Sequence, residues 1–407
     1  ARAAALGRAY LALNETGKAR FLTVLAENFD VDHDAARVAA LNLQQASGQA
    51  ARYAAEADLR KVLEPPRLKL LTQFNALPEG VKFLVDMRAD LLVLAADNAL
   101  LKGLEQDLKG LLITWFDVDF LELRRISWDR SSASLLEKLI AYEAVHAIES
   151  WNDLKNRLDS DRRCFAYFHP RMPDEPLIFV EVALVDGMSD SIQALLDGNA
   201  PVIDPASADT AIFYSISNAQ KGLAGISFGN FLIKGVVNSL AAEFAGLKTF
   251  ATLSPLPGFR AWLNKRLAEG DKDLLTPSDR KGLKAVGEKS GGAKGKLKAL
   301  LEDSGWPDDV QAADALHAPL MRLAAQYLSR EKMRQGGLRA LDPVAHFHLS
   351  NGARIQRLNW LGDRSPKGLG QSAGIMVNYL YKLSHVEANH EAYTSSGKVA
   401  ASSSVRG

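Results

Sequence analysis

The chain has 407 residues, of which 47% are hydrophobic and 24% charged, with a formal net charge of +1. This is a globular composition, long enough for two or three domains, without the basic excess of a nucleic-acid-binding protein. One cysteine, Cys164, excludes an internal disulfide and suits a reducing compartment; no apolar run reaches the roughly 18 residues that cross a bilayer and no signal core opens the chain, so a cytoplasmic protein is expected.

Residues from about 8 to 115 read as helix. Phe21, Leu22, Val24, Leu25 and Phe29 share one face of a 3.6-residue period, Pro65-Pro66 interrupts the pattern, and residues 81–112 are Leu/Ala-rich. An all-α bundle over residues 1–115 is predicted, with packing or self-association as its task. His33, between Asp32 and Asp34, reads as part of a solvated helix cap. Around residues 115–128 the pattern turns aromatic and β-branched, and the domain boundary is placed there. Amphipathic helices follow over 135–146 and 150–158. Strands over 164–168 and 177–185 are joined by the turn-rich HPRMPDEP, and Ser189-Asp190 introduces a short helix over 192–196. Cys164 lies in an apolar run and reads as buried strand filler.

Residues 210–259 organise the second half. A β-rich run over 210–217 leads into a loop with Gly222, Gly225 and Gly229. Phe228, Phe231, Leu232, Val236, Leu240 and Phe244 then recur with helical period, and Gly246 is the expected cap. A second strand, 249–253, is stopped by Ser254-Pro255-Leu256-Pro257-Gly258. A strand feeding a glycine-bearing loop at a helix N-terminus can hold phosphate, because the backbone approaches closely and free N–H groups face the anion. The spacing is neither the P-loop nor the dinucleotide fingerprint, so a plain βα connection stands beside the phosphate reading.

A helical insertion spans 259–339. It includes GEKSGGAKGKLK (287–298), read as a flexible basic loop. The run 343–349 reads as a strand, which would put His346 and His348 on one face. A metal there would need a third ligand that no cysteine or H-x-x-x-H helix supplies, which favours a catalytic or hydrogen-bonded histidine. Strands are expected over 355–361 and 374–382, with a glycine-rich connection between. Ser254 ends a strand without a G-x-S-x-G elbow, so it is not an α/β-hydrolase nucleophile. The tail, 391–407, is expected to be disordered.

Three stretches together resemble malonyl-CoA decarboxylase: FYSISNAQKGLAGISFGNFLIKGVV, TLSPLPGF and DPVAHFHLSNGARIQRLNWLGDRSPKGLGQSAGIMVNYLY. AYEAVHAIESWNDLKNRL, DRRCF and EPLIFVEVAL are similar too. The resemblance covers most of residues 115–381; the helical front half matches in character more than in motif. It implies an α+β protein: a helical oligomerisation domain over 1–115, then a mixed-sheet catalytic domain over 116–390 with the fold of the GCN5-related N-acetyltransferases. It implies conversion of malonyl-CoA to acetyl-CoA and CO2, with no metal or organic cofactor, since coenzyme A belongs to the substrate. The catalytic pair maps onto Ser254 and His348, and the coenzyme A pyrophosphate onto Ala224, Gly225, Ile226, Ser227, Phe228, Gly229 and Asn230. Asn378 and Tyr381 are secondary candidates for polar contacts. His348, titrating near neutrality, would protonate the enolate left by CO2 loss, and Ser254 would orient the malonyl carboxylate. Assembly through the helical domain, as a homotetramer, is expected. An acyltransferase of the same fold and a non-catalytic coenzyme A-binding scaffold are the competing readings.

Overall fold

The computed structural model describes residues 2–116, 120–226, 232–286, 292–333 and 337–406. The chain forms two compact units. The first comprises Ala1–Arg124, Ala166–Ile178 and Asn218–Gly229; the second comprises Arg125–Phe165, Phe179–Ser217 and Asn230–Gly407. The first unit is therefore more than the helical stretch expected over 1–115.

In the first unit, helices α1 (Arg2–Leu11), α2 (Glu15–Asn28), α3 (His33–Gln45), α4 (Gln49–Val62), α5 (Pro66–Phe74), α6 (Gly80–Leu94) and α7 (Ala99–Trp115) follow one another. Their starts are written in the sequence. Asn14, Asp32 and Asn98 each accept backbone N–H groups of the first turn, and Pro66 occupies the first turn of α5, where its missing N–H costs nothing. Leu101, Leu104, Leu108 and Leu112 recur every three or four residues on α7 and are fully buried, each contributing about 2 kcal/mol of apolar transfer. Buried Arg67 donates to Asp107 (2.6 Å), Asp30 (2.9 Å) and the Ala26 carbonyl (3.1 Å), so its charge is compensated on three sides.

The later segment Asn218–Gly229 joins this unit for a steric reason and an electrostatic one. A methyl group at Gly222 would stand 1.7 Å from the Val85 carbonyl oxygen, so only glycine lets that loop lie on α6. Buried Arg88 of α6 donates to the carbonyls of Gly222 (2.5 Å) and Ala224 (2.9 Å) and pairs with Glu105 of α7 (2.6 Å).

The strands are β1 (Glu122–Ile126), β2 (Arg162–His169), β3 (Met172–Val185), β4 (Thr210–Asn218), β5 (Thr249–Thr252), β6 (Ser254–Pro255), β7 (Arg354–Asn359) and β8 (Met376–Leu380). They form one mixed sheet in the order β1-β2-β3-β4-β5-β8-β6, with β7 also paired to β8. β2, β3 and β4 are buried almost continuously, as expected for strands covered on both faces, and Cys164 on β2 is inside. β4 and β5 run parallel from Thr210↔Thr249 to Phe213↔Thr252. β8 is antiparallel to β5, β6 and β7, with a bulge in β7 between Ile355 and Arg357.

The helices of the second unit are α8 (Ala133–Tyr142), α9 (Trp151–Arg157), α10 (Ile192–Leu195), α11 (Leu232–Glu243), α12 (Phe259–Ala268), α13 (Pro277–Lys284), α14 (Ala293–Glu302), α15 (Val310–Arg330), α16 (Pro343–Ser350), α17 (Pro366–Ser372), α18 (Leu383–Ser396) and α19 (Ser403–Arg406). Leu232, Ile233, Val236, Val237 and Leu240 form the buried face of α11. Among the described residues no helix is long and apolar enough to cross a membrane.

Several expectations give way. Residues 343–349 are helix α16, not strand. Asp342 accepts the N–H groups of Val344 (3.0 Å) and Ala345 (2.9 Å), and Pro343 sits in the first turn, a start signal that outweighs the β-branched and aromatic content. The expected glycine-rich connection over 362–374 holds α17, capped by Ser365. Of the expected basic loop, Ala293–Lys298 belongs to α14, and residues 287–291 lie outside the described set. The helix α11 ends at Glu243, three residues before Gly246, and α10 is capped by Ser191. The tail is ordered: α18 buries Val386 and Tyr393 and ends at Gly397 in the left-handed region, then Ser402 N–H and the Ala400 carbonyl bond Ile355 on β7. Two apolar anchors and a sheet edge supply what polar composition alone does not reveal.

Asp342 also accepts from Gly258 N–H (3.3 Å) and the Tyr327 hydroxyl (3.2 Å), and it is fully buried. Asp342→Ala removes a cap and leaves buried donors unpaired, so a loss of about 2–4 kcal/mol of stability is expected in urea unfolding monitored by tryptophan fluorescence. A variant as stable as the parent would contradict the assignment.

Candidate active site

The turn after β6 and the first turn of α16 are both tied to Asp342, and the elements they belong to bring two distant residues together. Ser254 Oγ lies 3.0 Å from His348 Nε2, across 94 positions of sequence. Both side chains are buried. Ser254 is held by the pairing of β6 with β8, opposite Val377, and its hydroxyl donates to Thr252 Oγ1 at 2.9 Å. Thr252 Oγ1 in turn accepts the Tyr379 N–H at 3.2 Å.

The imidazole is fixed on every side. Its Nδ1 lies 2.8 Å from the Tyr381 hydroxyl. Its ring stacks on Tyr379 with centroids 4.4 Å apart and an interplanar angle of 26°. Tyr381 sits edge-on to Phe213 of β4 at 6.4 Å. Among the described residues no carboxylate touches the histidine, and burial pushes its pKa down to about 3. The same burial pushes the Tyr379 and Tyr381 hydroxyls up, so both stay protonated. A proton-ordered row results, Tyr381–His348–Ser254–Thr252, around a neutral imidazole. Donation by Tyr381 to Nδ1 places the remaining ring N–H on Nε2, towards Ser254.

His346 and His348 do not share a face, because a helix turns about 200° over two residues. His346 Nδ1 meets the Tyr393 hydroxyl at 2.9 Å and belongs to the packing of α16 on α18. Asn378 is a structural group: its Nδ2 donates to the carbonyls of Thr252 (2.7 Å) and Ser189 (3.0 Å), and its Oδ1 accepts from Arg357 and Asn359. Tyr381, ranked beside it in the sequence, is the one that reaches His348. Thr252 and Tyr379 were not singled out; their alternation with Ser254 and Tyr381 along the strands was the available signal. Sequence reading also missed Glu143. Its carboxylate accepts from the hydroxyls of Ser215 (2.7 Å) and Ser217 (3.2 Å), which alternate with Phe213 along β4 and so share its face.

Of the residues matched to coenzyme A, Ser227, Phe228, Gly229 and Asn230 lie outside the described set. Ala224 has its carbonyl bound by Arg88, Gly225 has φ +72°, and Ile226 is buried. Among the described residues no group of three or more His, Cys, Asp or Glu side chains could hold a metal ion. Cys164 is buried and its thiol is pushed up by burial, which removes it as a nucleophile.

Comparison with known proteins agrees in both halves. Residues 119–407 match the malonyl-CoA decarboxylase C-terminal domain, and residues 29–116 match the malonyl-CoA decarboxylase N-terminal domain. The chain is 40% identical over 403 residues to the mitochondrial malonyl-CoA decarboxylase of Anser anser anser, covering 95% of this chain and 79% of that protein. It is 39% identical over 404 residues to the Rattus norvegicus protein of that name, covering 95% and 81%. The solved structure of malonyl-CoA decarboxylase from Rhodopseudomonas palustris superposes with a TM-score of 0.89 at 45% identity, covering 99% of this chain and 93% of that one. The Agrobacterium vitis structure superposes with a TM-score of 0.88 at 43% identity, with the same coverage. With both family models matched along most of its length, and relatives of this identity, the chain belongs to the malonyl-CoA decarboxylase family.

Proposed function

We propose that Ser254 and His348 are the catalytic pair with which this carboxy-lyase converts malonyl-CoA to acetyl-CoA and CO2. The observation that carries this reading is the buried 3.0 Å contact between Ser254 Oγ and His348 Nε2. Loss of CO2 from a malonyl thioester leaves an enolate, and fixed donors in a dry site stabilise it better than water does. The Ser254 hydroxyl and the ring N–H, which face Thr252 and Ser254 in the free protein, supply such donors once they turn towards the substrate. The thioester delocalises the carbanion, so no metal or organic cofactor is invoked.

The proton for the α-carbon needs a source, and burial changes the expected one. His348 is neutral in the free protein rather than half-protonated near pH 7. A malonyl carboxylate beside the ring favours the imidazolium, so substrate binding draws a proton from solvent onto His348. When the carboxylate leaves as CO2, the imidazolium loses its counter-charge as the α-carbon becomes basic, and it gives up the proton. Proton uptake on binding then matches proton consumption in the reaction. Tyr381 holds the ring orientation through Nδ1. The coenzyme A tail is assigned to residues 224–230, on the connection that follows β4. Assembly through the helical unit belongs to the same proposal and is supported by Val38, Leu41 and Tyr53, which are 55%, 49% and 61% exposed on α3 and α4. A cytoplasmic setting is supported by the single buried cysteine.

His348→Asn is expected to lower kcat roughly 100-fold or more, the scale of a positioned acid, while acetyl-CoA still binds in calorimetry. Near-parental CO2 release from labelled malonyl-CoA would remove His348 from the mechanism. Binding of a sulfonate analogue that cannot lose CO2 should take up close to one proton at pH 7.5, read from calorimetry in buffers of different ionisation enthalpy. Acetyl-CoA should take up none, and neither ligand should in His348→Asn. Equal uptake for both ligands would refute substrate-driven protonation.

The pH dependence of stability has a definite sign. A histidine at about 3 in the fold and 6.5 when unfolded binds its proton first in the unfolded chain. Stability is thus present above about 6.5 and is lost as pH falls towards about 3. His348→Asn should flatten this slope in urea titrations. For assembly, Val38→Glu with Leu41→Lys should lower the mass measured by light scattering from that of a tetramer. An unchanged mass would exclude α3 from the contact.

A further inference from the structure

The loop after β4 has a cation beside it that no carboxylate among the described residues pairs with. A methyl group at Gly225 would stand 3.4 Å from the Lys109 ammonium nitrogen, and Gly225 takes φ +72°, where a side chain is disfavoured. Lys109 lies on α7 and is half-buried, and among the described residues no carboxylate pairs with it. Its natural partner one helical turn back is Glu105, and that carboxylate is taken by Arg88 at 2.6 Å. Arg88 also occupies the loop's own acceptors, the carbonyls of Gly222 and Ala224. One arginine therefore engages the acidic partner through Oε1 together with the nearby carbonyls, and among the described residues the half-buried ammonium beside the glycine makes no ion pair.

We propose that Lys109 contacts a phosphate group of the coenzyme A moiety. The inference rests on the assignment of this loop to coenzyme A and adds a side chain from α7 beside its described residues 224–226. A lysine suits this as a point charge that tolerates the several geometries of a phosphate oxygen. Glycine at 225 then serves two ends: it permits the positive φ, and it leaves room between the loop and the ammonium.

The test compares the parent with Lys109→Ala and Lys109→Arg on malonyl-CoA, 3′-dephospho-malonyl-CoA and malonyl-pantetheine. For malonyl-CoA, Lys109→Ala should raise KM roughly tenfold with kcat unchanged, as for loss of one charged hydrogen bond, and Lys109→Arg should restore most of it. On malonyl-pantetheine, which carries no phosphate, the variants should match the parent. A penalty that vanishes on the 3′-dephospho substrate supports contact with the 3′-phosphate, and one that persists supports contact with the diphosphate. An unchanged KM for malonyl-CoA in Lys109→Ala, or an equal rise on malonyl-pantetheine, overturns the proposal. If the parent itself shows no KM preference for malonyl-CoA over malonyl-pantetheine, the coenzyme A assignment of the loop fails with it. Thermal midpoints of the three proteins should coincide, since among the described residues Lys109 makes no hydrogen bond or ion pair; a lowered midpoint in Lys109→Ala would count against the proposal.

Discussion

The second unit depends on the burial of one imidazole without a counter-charge. His348 is enclosed by the Tyr379 ring, the Tyr381 hydroxyl and Ser254, and nothing acidic among the described residues lies against it. A neutral ring is the stable form there, and it remains so only while each nitrogen has a hydrogen-bond partner. The site is thus poised by exclusion. On the proposed mechanism its proton inventory in the free protein is one short of what the reaction consumes, and a substrate that brings its own negative charge corrects the deficit.

That poise is maintained from outside the reacting groups. Asp342 anchors the start of α16 and reaches the turn after Ser254 through Gly258 N–H, so one carboxylate sets the separation of both catalytic candidates. Tyr327, from α15, shares the same oxygen as Gly258 and packs its ring against Phe259 and Trp262. The helical insertion over 259–339 is then more than decoration between strands, since its aromatic cluster supports the residue that aligns the site. In the first unit Arg88 plays a comparable part, joining two helices to a loop through carbonyl oxygens rather than through side chains.

Much of this was legible in the sequence. The helical front half followed from apolar period, with a cap read at Asp32; the cap at Asn98 came from the structure. The strands β2, β3 and β4 followed from continuous apolar runs. Ser254 and His348 were named from the resemblance, but their contact was not readable, because 94 intervening residues carry no information on approach. The helix α16 was misread since PVAHFHL is rich in residues that suit a strand; the signal lay one position earlier, in Asp342-Pro343. The segments 166–178 and 218–229 look like parts of a sheet domain; the place of the second in the first unit depends on Gly222 and Arg88, a fit that local pattern does not encode.

Cys164 has a use that follows from its isolation. It is the one thiol of the chain, it is 1% exposed in the middle of β2, and burial keeps it protonated. An alkylating reagent can reach it only when the central sheet opens, so the rate of its modification in the native state reports that opening and no other event. The sheet carries, in effect, a single-channel clock for its own breathing. The clock should slow when a bound ligand stabilises the closed form.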